Sequence, residues 1–307
     1  MKHKRVYDDI RKRANLEQYD VIHAHSLFSN GFIAYRIHQL IGLPYVVAVR
    51  NTDVNLFFRR MPHLRGLGVE ILRNAGRIIF ISQPYKQYTL DCFIPKASKD
   101  MIREKSVVVP NGIDNFWHEN SYVDRIPPEG KSLNIIYVGA VNRNKNIDAT
   151  IIACNLLIEE DFDVRFTVVG RIENRKYVRM IRKHPFVRYI PHCNKEELID
   201  YYRKTDIFVM PSKRETFGLV YAEAMTQGLP VIYTRGQGFD GQFPEGTVGY
   251  SVSHNSPIEI SDRIKDILDN YASISENCRI NSAKFNWDRL TNDYIKTYYE
   301  VVESSTV

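Results

Sequence analysis

The chain has 307 residues, 44% of them hydrophobic and 25% charged, with a net charge of +6 and a pI near 9.0. This composition is typical of a globular protein with room for two domains, and no run of residues has the length and apolarity of a membrane span. Four scattered cysteines without a C-x-x-C pair argue against a disulfide framework or a zinc knuckle and favour a reducing cytoplasm.

The positive charge is unevenly distributed along the chain. Basic residues crowd the first thirteen positions and recur later, at Lys2, Lys4, Arg5, Arg11, Lys12, Arg13, Arg59, Arg60 and Arg65. Such patches predict peripheral contact with an anionic membrane or with a phosphorylated substrate, and a solvated surface remains the alternative. Nucleic acid is not predicted as a partner, because no recognised binding motif accompanies the charge.

The first part of the chain alternates helical and strand patterns. A basic helix over 4–18 precedes the first predicted strand, and a helix over 27–41 follows it. The predicted strands, all short, are 19–25, 45–49, 77–82 and 106–110. Strands that alternate with helices predict right-handed βαβ units and a parallel sheet.

A second series of strands follows a polar, turn-rich segment. That segment, residues 119–132, is predicted to link a first domain of residues 1–118 to a second domain of residues 133–284. The strands predicted for the second domain are 133–141, 164–170, 187–190, 206–210 and 230–234. The remaining residues, 285–307, are predicted to form a terminal helix.

The stretch after the strand 206–210 has the strongest functional pattern. A turn is predicted there, followed by a helix over about 217–227 that begins near Gly218. The first N–H groups of a helix lack internal partners, and a glycine without Cβ lets a diphosphate approach them closely. Two acids flank this point, Glu215 on the loop and Glu223 on the helix. Glu223 lies among apolar residues, where an unpaired carboxylate is costly and a ligand diol is a suitable partner.

The residues from Pro211 to Val231 resemble the donor-site signature of the retaining GT-B glycosyltransferases of family 4, P-S-x-x-E-x-F-G-L-x-x-x-E-A-M-x-x-G-x-P-V. A strand–turn–helix of another doubly wound fold, with surface glutamates, is the alternative. The resemblance implies an α/β protein of the GT-B class, with two doubly wound Rossmann-like domains facing a cleft and a C-terminal helix crossing back. It also implies an incomplete first domain, because family members usually begin with further strands and a glycine-rich loop.

The resemblance extends to the loop that follows the first strand of the second domain. There Lys145 matches the family lysine that binds the donor diphosphate, although a surface lysine flanking a helix remains the alternative. Ala140 stands where the family usually has an arginine, and Arg143 is expected to supply that charge. The implied catalytic residues are Glu215, Lys145 and Arg143. The implied donor-binding residues are Gly139, Gly170, Pro191, Thr216, Phe217, Gly218, Leu219, Val220 and Glu223.

The acceptor side is expected on the first domain. The residues that the resemblance places there are His25, Arg50, Asn51 and Asp53, with Arg50 at the position of a family histidine. An arginine suggests an anionic acceptor, held by bidentate hydrogen bonds, and a structural tie of Arg50 to Asp53 or Glu70 is the alternative. His23 and His25 lack a third ligand nearby in sequence, so no metal site is predicted.

Taken together, these residues resemble those of a glycosyltransferase that uses a nucleotide-sugar donor. The donor is expected to be a UDP-sugar, and its hexose is expected to move to a hydroxyl of a polysaccharide or lipid-linked glycan. Family resemblance implies retention of anomeric configuration. The scattered cysteines favour a cytoplasmic location, and no metal or other cofactor is expected. The alternative is a catalytically impaired remnant or partner subunit that only binds nucleotide-sugars. A nucleotide-sugar epimerase or a phosphorylase is disfavoured, because neither a pyridoxal lysine nor an epimerase carboxylate pair is evident.

Overall fold

The computed structural model describes residues 2–305, with side chains from residue 5 onward, and its contacts divide the chain into two compact units. Unit 1 comprises residues 1–110 and 288–307, and unit 2 comprises residues 111–287. The side chains of Lys2 and Lys4, part of the predicted basic patch, lie outside the described residues. Within the described residues no helix combines the length and apolarity that crossing a bilayer requires.

Unit 1 is built on a four-stranded parallel sheet in the order β1-β2-β3-β4. The strands are β1 (Ile22–Ala24), β2 (Tyr45–Val49), β3 (Arg77–Phe80) and β4 (Ser106–Val108). The helices are α1 (Lys2–Arg13), α2 (Phe32–Ile41), α3 (Arg65–Asn74), α4 (Gln83–Phe93) and α5 (Lys96–Glu104). All five residues of β2 are buried, which is why this strand reads as an uninterrupted apolar run in the sequence.

Unit 2 is built on a six-stranded parallel sheet in the order β10-β9-β8-β5-β6-β7. Its strands are β5 (Ser132–Val138), β6 (Asp163–Val169), β7 (Val187–Ile190), β8 (Ile207–Val209), β9 (Val231–Thr234) and β10 (Gly249–Val252). Its helices are α6 (Asn115–Glu119), α7 (Ile147–Glu159), α8 (Arg175–Arg182), α9 (Lys195–Arg203), α10 (Leu219–Thr226), α11 (Pro257–Asp269) and α12 (Tyr271–Asn281). The strand order reverses between β5 and β8, and in such sheets ligands bind at the carboxyl ends of the strands beside that reversal.

The segment predicted as a linker belongs to unit 2 in this division. Arg125 anchors it, donating from Nε to the carbonyl of Gln227 at 2.8 Å and from one Nη to the carbonyl of Tyr202 at 3.0 Å. Ser121 adds a hydrogen bond to the carbonyl of Thr226 at 2.9 Å. A polar, irregular segment can therefore be fixed to a domain surface by one arginine, which periodicity does not reveal.

The last helix, α13 (Trp287–Ser305), returns to unit 1, as the sequence predicts. Its Leu290 and Val301 pack with Val46, Ala48 and Ile79 against one face of the sheet. Arg77 and Glu300 form an ion pair of 3.0 Å beside this contact. Burying two aliphatic side chains of this size stabilises the docked helix by roughly 3–6 kcal/mol before the cost of ordering it.

Candidate donor-binding site

The carboxyl ends of β5 and β6 approach each other backbone to backbone. Gly139 donates from its N–H to the carbonyl of Val169 at 2.9 Å. At Gly170, where φ is +139°, a Cβ would lie 2.1 Å from the carbonyl oxygen of Gly139. Only glycine fits this position, so the structure brings the two predicted donor-site glycines together.

Lys145 lies on the loop that leaves β5, in a turn held by Asn142. The side-chain oxygen of Asn142 accepts hydrogen bonds from the backbone N–H groups of Asn144 and Lys145, both at 3.0 Å. Arg143 lies between them, is exposed, and makes no hydrogen bond or ion pair with any side chain or backbone group in residues 2–305. The loop therefore carries two cations, Lys145 and Arg143, and Arg143 has no protein partner among the described residues.

Lys145 forms an ion pair with Glu215, which is seventy positions away in the sequence. Only 21% of the lysine side chain and 14% of the glutamate side chain are exposed. The Glu215 backbone is also held, since its N–H donates to the side chain of Gln237 at 2.9 Å and its carbonyl accepts from Gly238 at 2.7 Å. The structure thus joins two of the three predicted catalytic residues.

The amino end of α10 has no side-chain cap. Gly218 precedes the helix with φ +78°, and a Cβ there would lie 2.5 Å from the Tyr221 ring. The N–H groups of Leu219 and Val220 donate to no acceptor in the described part of the chain, and 39% of Leu219 is exposed. Unpaired N–H groups at an accessible helix start favour an anionic ligand.

Glu223 lies one helical turn beyond Leu219 and is partly buried. Burial raises the pKa of Glu223 to about 7, and the negative charge of Asp114 adds to this effect. Over residues 2–305 its carboxylate has no hydrogen-bond or ion-pair partner. A partly buried acid without a partner is suited to accept hydrogen bonds from a ligand.

Pro191 lines a cavity of about 820 Å³ between β7 and α9. Ile190 and His192 also line this cavity, and Tyr201 and Lys204 line it from α9 and the turn that follows. Lys145, Glu215 and Glu223 are not among its lining residues, so the cavity extends away from the ion pair.

Thr216 and Phe217 connect Glu215 to α10, with Phe217 buried and the Thr216 N–H donating to Glu215 at 3.2 Å.

The residues predicted on the acceptor side lie on unit 1, where Asp53 is only 2% exposed. Its carboxylate accepts from the backbone N–H groups of Arg50 at 2.9 Å, Leu27 at 3.0 Å and Phe28 at 3.2 Å. Burial raises the pKa of Asp53, although these hydrogen bonds oppose the rise. Asp53 therefore ties the loops after β1 and β2 together.

Arg50 and His25 lie next to each other at the ends of β2 and β1. Arg50 Nε donates to the His25 carbonyl at 3.3 Å, while Asn51 is exposed and accepts a hydrogen bond from Asn55.

The His23 ring lies 4.1 Å from that of His25, and its Nδ1 lies 2.7 Å from the hydroxyl of Tyr298. Burial lowers the pKa of His23 to about 4, with contributions from His25 and Arg50. Within residues 2–305 no group of three or more acids, histidines and cysteines is placed to hold a metal.

We expect Asp53→Asn to destabilise the protein rather than to change donor binding. The amide leaves one acceptor oxygen for three N–H donors, so the loss is about 1–3 kcal/mol, measured as a lower unfolding midpoint in urea. The UDP dissociation constant should stay within about twofold of wild type, because the three hydrogen bonds of Asp53 lie within unit 1 and the proposed donor site lies on unit 2. An unchanged midpoint would show that the three hydrogen bonds contribute little.

Two protein-family profiles match the chain. The profile described as glycosyl transferases group 1 matches residues 121–285, just over half of the chain. The chain belongs to this family. The profile described as glycosyltransferase family 4 matches residues 3–115.

Individual relatives support the same assignment. A D-inositol 3-phosphate glycosyltransferase of Paenarthrobacter aurescens is 24% identical over 323 residues, covering 98% of this chain and 77% of the relative. An uncharacterised glycosyltransferase of Methanocaldococcus jannaschii is 24% identical over 297 residues, covering 93% of this chain and 76% of the relative. At this identity they support the family rather than a particular substrate.

Solved structures share the fold. Sucrose-phosphate synthase from Thermosynechococcus elongatus superimposes with a TM-score of 0.73 at 18% identity, covering 98% of this chain and 78% of that one. Anabaena HepE in complex with UDP gives 0.71 at 16% identity, covering 96% and 81%. The protein thus has the two-domain Rossmann-like GT-B fold that the sequence predicts.

Sequence reasoning missed three residues that shape this site. Gln237 and Gly238 hold the Glu215 backbone, and at Gly238 a Cβ would lie 1.7 Å from the Thr216 carbonyl oxygen. Asn146 has positive φ and a buried side chain. The clustering of Gly236, Gly238 and Gly241 after β9 was the available signal, since glycines accumulate where backbones approach closely.

Proposed function

We propose that this chain transfers a hexose from a UDP-sugar to a hydroxyl of a polysaccharide or lipid-linked glycan, with retention of anomeric configuration. The observation that carries the proposal is the Lys145–Glu215 ion pair beside an accessible helix start whose first N–H groups are unpaired. This combination offers positive charge and free N–H donors, which a diphosphate needs, next to a carboxylate that suits sugar hydroxyls.

Each residue takes a role that follows from its surroundings. The Leu219 and Val220 N–H groups would donate hydrogen bonds to the diphosphate, and the Lys145 ammonium would offset part of its negative charge. As Lys145 turns to the diphosphate, Glu215 loses its cation and becomes free to accept hydrogen bonds from donor-sugar hydroxyls. Glu223 would accept the ribose diol, the partner that its unpaired, partly buried carboxylate lacks.

The proposed reaction breaks the bond between the anomeric carbon and the diphosphate oxygen and forms a bond from the acceptor oxygen on the same face of the sugar. The acceptor proton passes to the departing phosphate, and Lys145 stabilises the charge that develops there. Glu215 has a lesser role in stabilising positive charge at the anomeric carbon. No metal is assigned to any step.

An anionic acceptor is the class we favour. Arg50 is a cation at the end of β2, and several relatives of this chain carry the name D-inositol 3-phosphate glycosyltransferase, which contains a phosphorylated compound. Lipid-linked phosphates and acidic glycans share that chemistry.

We also propose a cytoplasmic protein whose exposed basic residues on α1, among them Arg5, Arg11 and Lys12, make peripheral contact with anionic membranes.

A thermal-shift screen of UDP- and GDP-sugars, followed by product analysis with the stabilising donor, tests the proposal. A ligand that binds only the folded state raises the unfolding midpoint, by about 2.7 kcal/mol of stability at one hundred times its dissociation constant. UDP-sugars should stabilise the protein and yield a glycoside of retained configuration. Stabilisation without hydrolysis or transfer would instead favour the nucleotide-sugar-binding remnant, and no stabilisation by any donor would exclude the proposed site.

Arg143→Ala should weaken UDP binding by about five- to tenfold, the effect expected for one exposed cation beside a diphosphate. Isothermal titration calorimetry measures the change, with Arg182→Ala on α8 as the matched loss of an exposed arginine. Equal affinity in wild type and Arg143→Ala would remove Arg143 from the site. The missing family arginine at Ala140 would then have no substitute on this loop.

A further inference from the structure

Asn146 joins the ends of three strands. It follows Lys145 directly, is 6% exposed, and has φ +60° and ψ +37°. Its side-chain amide donates to the carbonyl of Pro211 at 3.0 Å and to the carbonyl of His254 at 2.8 Å. Pro211 lies after β8 and His254 lies after β10, so both amide hydrogens connect the loop after β5 to distant segments.

The residue type is tightly constrained at this position. Left-handed backbone is tolerated by glycine, asparagine and aspartate, and is strained for other side chains. Glycine has no side chain to donate, and aspartate would place a carboxylate against two carbonyl oxygens. Asparagine alone meets both demands, that is, the backbone conformation and two buried N–H donors.

The Pro211 carbonyl begins the loop that carries Glu215. Two further hydrogen bonds join the same loops, from Lys213 N–H to the Asn144 carbonyl and from the Asn144 amide to the Arg214 carbonyl, both at 2.7 Å. Those two hydrogen bonds lie on the exposed side of the contact between the loops, whereas the hydrogen bond from Asn146 to Pro211 lies on its buried side. The Lys145 ammonium therefore reaches Glu215 only while the two loops keep this spacing.

We propose that Asn146 is a positioning residue, whose side-chain amide fixes the spacing of the two loops and so holds Lys145 against Glu215. This role rests on the proposed function for its catalytic consequence, but its structural consequence can be measured without any substrate. Asn146 does not touch the donor and acts through Lys145 and Glu215.

Competitive acetylation with acetic anhydride measures the structural consequence, because an amine held in an ion pair reacts more slowly than a free one. The rate at Lys145 would be compared with the exposed Lys204 by mass spectrometry in wild type, Asn146→Gly and Asn146→Asp. Glu215→Gln, in which the ion pair is lost, sets the upper limit. Val164→Ala, at the opposite end of β6, provides a destabilised control with intact loops.

Both Asn146 variants should raise the relative rate at Lys145 several-fold toward that of Glu215→Gln, whereas Val164→Ala leaves it unchanged. With a UDP-sugar, Asn146→Gly should lower kcat by about 10- to 100-fold, the cost of misplacing a catalytic group by about 1 Å, with a smaller change in UDP affinity. A wild-type rate in both variants, or an equal rise in Val164→Ala, would overturn the role. A wild-type protein that neither binds UDP nor turns over contradicts the proposed function instead, and the labelling still decides the role of Asn146.

Discussion

Lys145→Ala should lower the rate of glycosyl transfer by about 10²–10³-fold, the cost of removing one charged donor from a developing anion in a partly enclosed site. The fall should appear mainly in kcat, because charge on the diphosphate increases as the sugar departs. The substitution also leaves the Glu215 carboxylate, which is 14% exposed, without its cation. We therefore expect a loss of about 1–3 kcal/mol in folding stability as well.

Two comparisons separate the catalytic effect from the structural one. Lys265→Ala removes a lysine that pairs with Glu160 and Asp262 on the surface of the same unit, and should leave transfer unchanged. The double variant Lys145→Ala/Glu215→Gln removes the unpaired charge, so it should regain stability relative to Lys145→Ala without regaining the rate of transfer. Wild-type turnover in Lys145→Ala would exclude the lysine from diphosphate stabilisation.

Glu223→Gln should make the unliganded protein more stable at pH 8 and hardly change it at pH 5. The folded-state pKa of about 7 lies above the usual 4.5, so the folded protein holds the proton more tightly than the unfolded chain. Stability is therefore lost as pH rises from about 4.5 to 7 and stays low above that range. The loss is about 3 kcal/mol, at 1.36 kcal/mol per pKa unit, and the glutamine variant does not incur it.

Binding of UDP should show the opposite dependence on Glu223. Ribose hydroxyls donate to the ionised carboxylate, so wild-type affinity should rise between pH 5 and pH 8, and Glu223→Gln should lose about tenfold in affinity at pH 8 together with that pH dependence. Calorimetry at the two pH values measures this, with Glu196→Gln on the exposed side of α9 as the matched control. Identical UDP affinity in wild type and Glu223→Gln at pH 8 would leave the ribose without its proposed partner.

The sequence predicts those parts of the fold that depend on local pattern. The strands β2 and β7 lie at the predicted residues, because each is a short segment rich in β-branched and aromatic residues, and α10 begins two residues after the predicted start. β10 is not predicted. Its four residues, Gly249–Val252, follow a glycine-rich loop and form the edge of the sheet beside β9. Glycine and serine interrupt the segment, so the sequence shows no apolar run there.

The site is predictable as a set of residues more than as a geometry. The motif around Glu215 and the loop of Lys145 suggest that both serve one ligand, and the structure pairs them. It cannot be inferred from local sequence that Asn146 reaches His254, 108 positions away, or that Gln237 holds the Glu215 backbone. Asp53 illustrates the same limit, since its three N–H partners exist only after the loops of β1 and β2 pack together.

Calorimetric titration of the wild-type protein with UDP and with uridine tests most directly whether the start of α10 and Lys145 bind a diphosphate. Two or three charge-assisted hydrogen bonds, worth about 1.5–3 kcal/mol each, predict that UDP binds at least about 100-fold more tightly than uridine. A tenfold or larger part of that difference should disappear in Lys145→Ala, which removes one of these hydrogen bonds. Equal affinity for UDP and uridine would contradict the account, because the helix start and its lysine would then make no contact with phosphate.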